Sequence, residues 1–258
     1  MSSTLRVPAV AGIFYPERKE PLRELLDHLV PASPEKKKAI AVVVPHGGLF
    51  SSGAVAGAVY GSLQPFDLAV ILGPNHSHLG ERLSLAADGE WATPLGSVPV
   101  DRALARLLLK AVPDLKKDPK AHQHEHAAEL QLPFLQRLWK IRSFVPMAFS
   151  GMDAETARQA GIGVARALQK SGRKALLIAT AHLTRYEPRE RAERLDRQLI
   201  ERITALDGEG LMREVAESGG SMCGAPAVAA MIAAAKELGA SRVSLVKYEV
   251  GTAGILIQ

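Results

Sequence analysis

Short apolar runs alternate with amphipathic stretches along almost the whole chain. Residues 40–44, 68–72, 143–149 and 174–180 are rich in aliphatic side chains, as expected of strands buried on both faces of a sheet. Helical spacing recurs at 20–29, 53–63, 101–111, 125–139, 153–169 and 223–238, with two more helices within 188–218. Residues 82–86 read as a further strand. The chain closes with strands at 242–250 and 253–257, near enough in sequence to pair antiparallel. Asp101 and Asp153 stand where helix N-caps are expected. Pro133 is expected to kink the 125–139 helix. Residues 31–38 are polar, carry proline and read as a surface loop. Apolar strands separated by helices predict an α/β fold. The expected architecture is a mixed, mostly parallel β-sheet flanked by helices, in a single domain over 1–258.

Three of the apolar runs have a histidine just past their end: His46, His76 and His182. Open α/β sheets bind ligands outside the carboxyl ends of their strands, so imidazoles delivered there converge on one crevice. Imidazole is the commonest protein metal ligand. The repetition therefore predicts a metal centre, which the lone cysteine, Cys223, could complete. Cys223 opens the Ala-rich 223–238 stretch, and a helix N-terminus favours thiolate. Taken alone, a free cysteine is more often a small buried hydrophobe.

The flanking residues sharpen this picture. Gly47 and Gly48 allow the backbone to turn sharply behind His46. His78, two residues past His76, reads as a rim or surface residue. The densest histidine cluster spans 122–126, after a polar segment. His126 and Glu129, at the expected helix start, read as pocket residues, and His122 and His124 as structural or surface ones. His182 can ligate a metal or act as a general base. Arg185 can steady an anionic substrate or oxygen species, or belong to the charged helix that follows.

Composition narrows the class. The chain has 258 residues, 47% hydrophobic and 23% charged, which is ordinary for a globular protein. No apolar run approaches the roughly 20 residues that span a bilayer. The start, Met1 to Arg6, lacks the apolar core of a signal peptide, so a cytoplasmic location without membrane association is expected. One cysteine excludes an internal disulfide and an all-thiolate zinc site. The formal charge of +5 hints at anionic partners. The basic residues are scattered, however, and not interleaved with aromatics, so nucleic acid is not an expected partner.

Several short strings, in order along nearly the whole chain, resemble the Memo family, also called AmmeMemoRadiSam system protein B. They are Ala11-Gly12-Ile13-Phe14-Tyr15-Pro16, Pro45-His46-Gly47-Gly48 with Ser52-Gly53, Gly73-Pro74-Asn75-His76 and Trp91-Ala92-Thr93-Pro94-Leu95-Gly96 with Val100-Asp101. Glu125-His126-Ala127-Ala128-Glu129, Gln131-Leu132-Pro133-Phe134-Leu135 and Cys223-Gly224 complete the set. The resemblance implies a fold like that of class III extradiol dioxygenases, which use non-haem iron. It also implies a metal pocket lined by two histidines and a cysteine, roles that fall on His46, His76 and Cys223. One stretch departs from the pattern. Where the family has Asp-Leu-Ser-His-Tyr, this chain reads His182-Leu183-Thr184-Arg185-Tyr186. With neutral histidines, the local charge rises by about two units.

Three functions follow as expectations. The first is a metal-dependent, dioxygenase-like oxidoreductase. A divalent metal, iron foremost with copper or zinc as alternatives, would be held by His46, His76 and Cys223 with open positions. His182 would be a base or fourth ligand, Arg185 an anion contact, and His126 and Glu129 groups that orient ligands. The second is a binding or scaffold protein that takes a small molecule or anionic peptide in the same pocket. The third is zinc-dependent hydrolysis, ranked last because no carboxylate base follows a strand.

Overall fold

The aliphatic runs form the centre of an eight-stranded sheet, seen in a computed structural model that describes residues 4–32, 35–219 and 221–258. Met1 to Ser3, and Ser33 and Pro34 of the expected 31–38 loop, lie outside the described residues. The strands are β1 (Leu5–Arg6), β2 (Ala41–Val44), β3 (Leu68–Pro74), β4 (Leu83–Leu85), β5 (Glu90–Thr93) and β6 (Gly96–Pro99). They continue as β7 (Lys116–Lys117), β8 (Ser143–Phe149), β9 (Leu176–Thr180), β10 (Val243–Glu249) and β11 (Thr252–Ile257). The helices are α1 (Lys19–Leu29), α2 (Leu49–Gly61), α3 (Arg102–Ala111), α4 (Lys120–Gln123) and α5 (Leu132–Trp139). The rest are α6 (Ala154–Ser171), α7 (Arg189–Thr204), α8 (Gly208–Glu217) and α9 (Ala225–Glu237).

The large sheet has the order β10-β11-β2-β9-β3-β8-β4-β7. Its four central strands, β2, β9, β3 and β8, are parallel, and β11 and β4 flank them antiparallel. This is the mixed, mostly parallel α/β fold expected. The chain-closing strands pair antiparallel, with a bulge between Leu245 and Lys247. Alternate residues of β3 enter opposite cores. Leu68, Val70 and Leu72 pack with residues of α3, α6 and α9, while Ala69 and Ile71 pack with residues of α1, α2 and α5. This period of two explains why the central runs are apolar throughout.

The expected caps form. Asp101 accepts from Leu104 N at 3.0 Å and Asp153 from Thr156 N at 2.7 Å. The 125–139 helix is shorter than expected. A 3₁₀ turn at Glu129–Gln131 leads into α5, and Pro133 sits in the first turn of that helix and kinks nothing. There its missing N–H leaves no helical bond unmade. Upstream, the Glu125 carboxylate accepts from His126 N and Ala127 N at 2.8 Å each, a local alternative to helix. The α9 helix starts at Ala225, so Cys223 precedes it instead of opening it. Pattern reading also missed β1, β5 and β6, which make a separate three-stranded sheet. These strands are short and only half-buried, so no sustained apolar run marks them.

Candidate metal centre

Strand register levels the three histidines. Val44 of β2 pairs with Thr180 of β9, and Leu72 of β3 with Ala179. His46, His182 and His76 each lie two residues past the last residue of β2, β9 and β3. Adjacent parallel strands that end level place these rings together. The His46 and His182 centroids are 4.5 Å apart and those of His46 and His76 5.1 Å. Cys223 reaches the same point from the far end of the chain. Gly224 after it has φ +78°, and a Cβ there would stand 2.7 Å from Thr180 O. Glycine therefore lets the cysteine loop lie against the end of β9.

Each candidate ligand is held from behind. Nδ1 of the buried His46 is 2.8 Å from Thr180 Oγ1, which leaves Nε2 to face Cys223 Sγ at 3.2 Å. Thr180 Oγ1 is in turn fixed by Gln131 Nε2 at 3.1 Å. His76 Nδ1 lies 3.0 Å from Glu125 Oε1, and the His76 backbone N–H donates to Glu125 Oε2 at 2.5 Å. His76 Nε2 is buried and has no hydrogen-bond partner among the described residues. Cys223 Sγ accepts from His182 N at 3.3 Å and lies 3.6 Å from His182 Nδ1. One donor atom from each of His46, His76 and Cys223 fits within a mutual separation of 4.8 Å. This set suits a soft or borderline transition metal. The orphaned nitrogen of His76 is the atom such a metal would satisfy, since buried polar atoms rarely stay unpaired.

The electrostatics agree with a ligand cluster. Burial pushes the Cys223 thiol up, but its neighbours His182, His46 and His76 more than reverse this, bringing it down to about 3. Burial depresses His46. Burial would also depress His76, yet Cys223 and Glu125 beside it raise it to about 9. Despite its burial, Glu125 is held down at about 2 by His76 and by backbone donors. Thiolate beside imidazole is the form that binds metal.

The remaining candidates separate. His126 joins the cluster, stacked on His76 at 4.7 Å and edge-on to Phe14 at 5.1 Å, and burial lowers it to about 4. His182 contacts the sulfur but stands outside the three-donor set. Its Nε2 would lie 3.0 Å from a Cβ at Gly47, so glycine admits the ring. Arg185 is half-buried on the same loop, its guanidinium bonded to the neighbouring Tyr186 hydroxyl at 3.0 Å. Glu129 is placed elsewhere. Its carboxylate takes Arg6 Nη1 at 2.7 Å, Ala9 N, Val10 N and Tyr15 Oη, and so anchors the N-terminal segment. The carboxylate that orients a histidine is Glu125. Spacing alone could not choose between the two acids of the Glu125-His126-Ala127-Ala128-Glu129 string. His122 is buried near Ser84 and Trp91, and His78 is exposed beside Ser150. Thr180 and Gln131 carried no sequence signal for their roles behind His46.

A family model described as Memo-like protein matches residues 6–254. The chain belongs to the Memo-like family. It is 40% identical to a MEMO1 family protein of Methanopyrus kandleri over 94% of this chain and 91% of that protein. It is 39% identical to one from Methanococcoides burtonii over 97% and 94%. Among solved structures, an uncharacterized protein from Escherichia coli K12 matches with a TM-score of 0.56 at 15% identity. That match covers 86% of this chain and all of that one, and shows likeness of fold. Within the His182-Leu183-Thr184-Arg185-Tyr186 stretch, His182 reaches the centre itself, where it contacts Cys223.

Proposed function

We propose that this Memo-like chain holds a divalent transition metal, iron foremost, through His46, His76 and Cys223, and serves as a metal-dependent oxidoreductase on a small or anionic molecule. The observation that carries the reading is the buried, unpartnered Nε2 of His76 beside the sulfur of Cys223 and the ring of His46. Such a metal supplies Lewis acidity or redox chemistry that side chains lack. Around it, Glu125 and Thr180 fix the two rings by their Nδ1 atoms, which leaves each Nε2 to coordinate. His182 steadies the thiolate through its backbone N–H. Neutral His126 is placed to accept a proton, and Arg185 to hold an anion. The second reading, a pocket that binds an anion without turnover, draws on Arg185 alone. Hydrolysis ranks last, because Glu125 is already committed to His76 and the backbone.

Metal analysis after anaerobic purification tests the reading, with His46→Ala and Cys223→Ala alongside. Near-stoichiometric iron or copper in the wild type, lost in both variants, is the expected result and leads to an oxygen-consumption screen. No bound metal, and no uptake of iron, copper or zinc when each is offered, overturns the metal reading and leaves the binding function.

A further inference from the structure

A second hollow lies away from the histidines. Helix α6, the second half of α9 and the turn from α7 to α8 enclose a cleft of about 390 Å³. That is within the ~300–1,000 Å³ of small-molecule sites. Helix α9 keeps the two places apart. Cys223 precedes its first residue, Ala225, whereas Lys236 of the cleft lies about 16 Å along the helix axis from Ala225.

Close packing on either side leaves this space open. Gly161 brings α6 onto α9, where a Cβ would run into Ala230 O. At Gly208, the first residue of α8, a Cβ would stand 3.2 Å from Ala229 O. Between these contacts the lining carries Ala154, Ala205, Ala229 and Ala233, whose side chains are too short to fill the gap. Ile162, Leu206 and Ile232 give it an apolar floor. Leu206 is held at φ +54°, a left-handed conformation that strains a leucine. Such strain clusters at turns that hold ligands.

The charged side chains around this floor fall into two groups. Two are committed. Arg158 donates twice to Glu155 on its own helix, at 2.8 and 2.7 Å. Asp207 caps α8 through Gly210 N at 2.8 Å and pairs with Arg202 at 3.2 Å. The other three are not. Lys236 meets no carboxylate among the described residues, and the Glu237 carboxylate takes no hydrogen bond or ion pair there. Glu209 comes only within 3.8 Å of Arg158, which Glu155 already engages. One ammonium and two carboxylates therefore line a single cleft without satisfying one another.

We propose that this cleft binds a free amino acid with a large apolar side chain. The ligand's carboxylate meets Lys236, its ammonium meets Glu209 and Glu237, and its side chain covers the floor of Ile162, Leu206 and Ile232. An apolar amine leaves Lys236 unmatched, and an apolar acid leaves both glutamates unmatched. Exposed ion pairs contribute little singly, so the apolar body supplies most of the affinity and the charges select the head group. The site is separate from the metal centre and does not depend on it.

The test is calorimetric titration of the full chain with phenylalanine, leucine, phenethylamine, 3-phenylpropionate and glycine. Phenylalanine or leucine, or both, should bind with a Kd of about 1 mM or tighter. Phenethylamine and 3-phenylpropionate, each lacking one charge, should bind at least about threefold more weakly, and glycine, lacking the body, should not bind detectably. Lys236→Gln should weaken the amino acid about threefold and leave phenethylamine unchanged. The double variant Glu209→Gln with Glu237→Gln should weaken the amino acid and leave 3-phenylpropionate unchanged. Ala205→Trp, at an exposed position on the cleft wall, should block all the probes. Arg189→Gln, at the far end of α7 where Arg189 pairs with Glu193, should change nothing. His46→Ala should bind the amino acid as wild type does, whether or not it has lost metal. No binding of either amino acid, equal binding of phenethylamine, or wild-type binding by both charge variants overturns the proposal. Loss of binding in His46→Ala places the ligand among the histidines and overturns it too. Metal-free wild type that binds the amino acid leaves this proposal standing while the metal reading falls.

Discussion

Glu125 and Glu129 lie four residues apart on one short segment, and both are buried. Their partners divide them. Glu129 faces a permanent cation, Arg6, together with two N-terminal backbone donors and the Tyr15 hydroxyl. Arg6 in turn lies 4.0 Å over the Trp91 ring and donates to His122 O and Glu125 O. Glu125 faces a histidine that can change its protonation and whose far nitrogen is unpaired. The first carboxylate ties the N-terminal segment to the body of the protein. The second aims a ligand. Burial and charge are alike in the two, so function is read from what each carboxylate holds.

Removing Glu129 should have the largest effect on stability. Glu129→Ala leaves the Arg6 guanidinium short of its counter-ion and the Tyr15 hydroxyl without a partner, which costs about 3–5 kcal/mol. Urea unfolding measures this, and metal bound per folded molecule should stay at the wild-type level. Glu125→Gln should reverse the pattern. Metal affinity falls about 10–100-fold, as for other groups that orient a histidine ligand, while the stability loss stays within about 1–3 kcal/mol. If Glu129→Ala loses the metal and Glu125→Gln keeps it, the division fails.

Acid pH sharpens the comparison. The folded protein holds Glu125 at about 2 against an ordinary value of 4.5. Its contribution to stability is therefore full above pH 4.5 and disappears as pH falls towards 2. The stability difference between metal-free wild type and Glu125→Gln should shrink across that window in urea melts at stepped pH. A constant difference would show that the carboxylate is not the group held. The smallest effect belongs to Asp153→Ala, at the exposed N-cap of α6, which should lower the urea midpoint only slightly and leave metal binding unchanged.

Much of this molecule is legible in its primary sequence. The central strands announce themselves because both faces are buried, so every position is apolar. His46, His76 and His182 announce themselves because each stands a few residues past the end of such a run. Asp101 and Asp153 cap as their positions suggest, since an N-cap bond joins residues three apart. The β5–β6 hairpin stayed hidden, because its strands are short and half-covered. The 125–128 segment departs from helix because a side chain competes for its own backbone N–H groups.

Local pattern thus determined the central elements, their order and the strand-end histidines, since propensity, capping and burial periodicity act over a few residues. Long-range packing decided the rest. Cys223 meets His46 across 177 positions, and Glu129 meets Arg6 across 123. Strand order β2-β9-β3 sets which histidines adjoin, and nothing local encodes that order. The choice of Glu125 over Glu129 as the acid behind His76, and the anchoring of Thr184 by Asp196 and of Arg185 by Ser221, likewise depend on which distant segments fill the space beside them. Such contacts form only when the sheet and both helical layers are assembled, because the donors and the acceptors come from different layers of the fold.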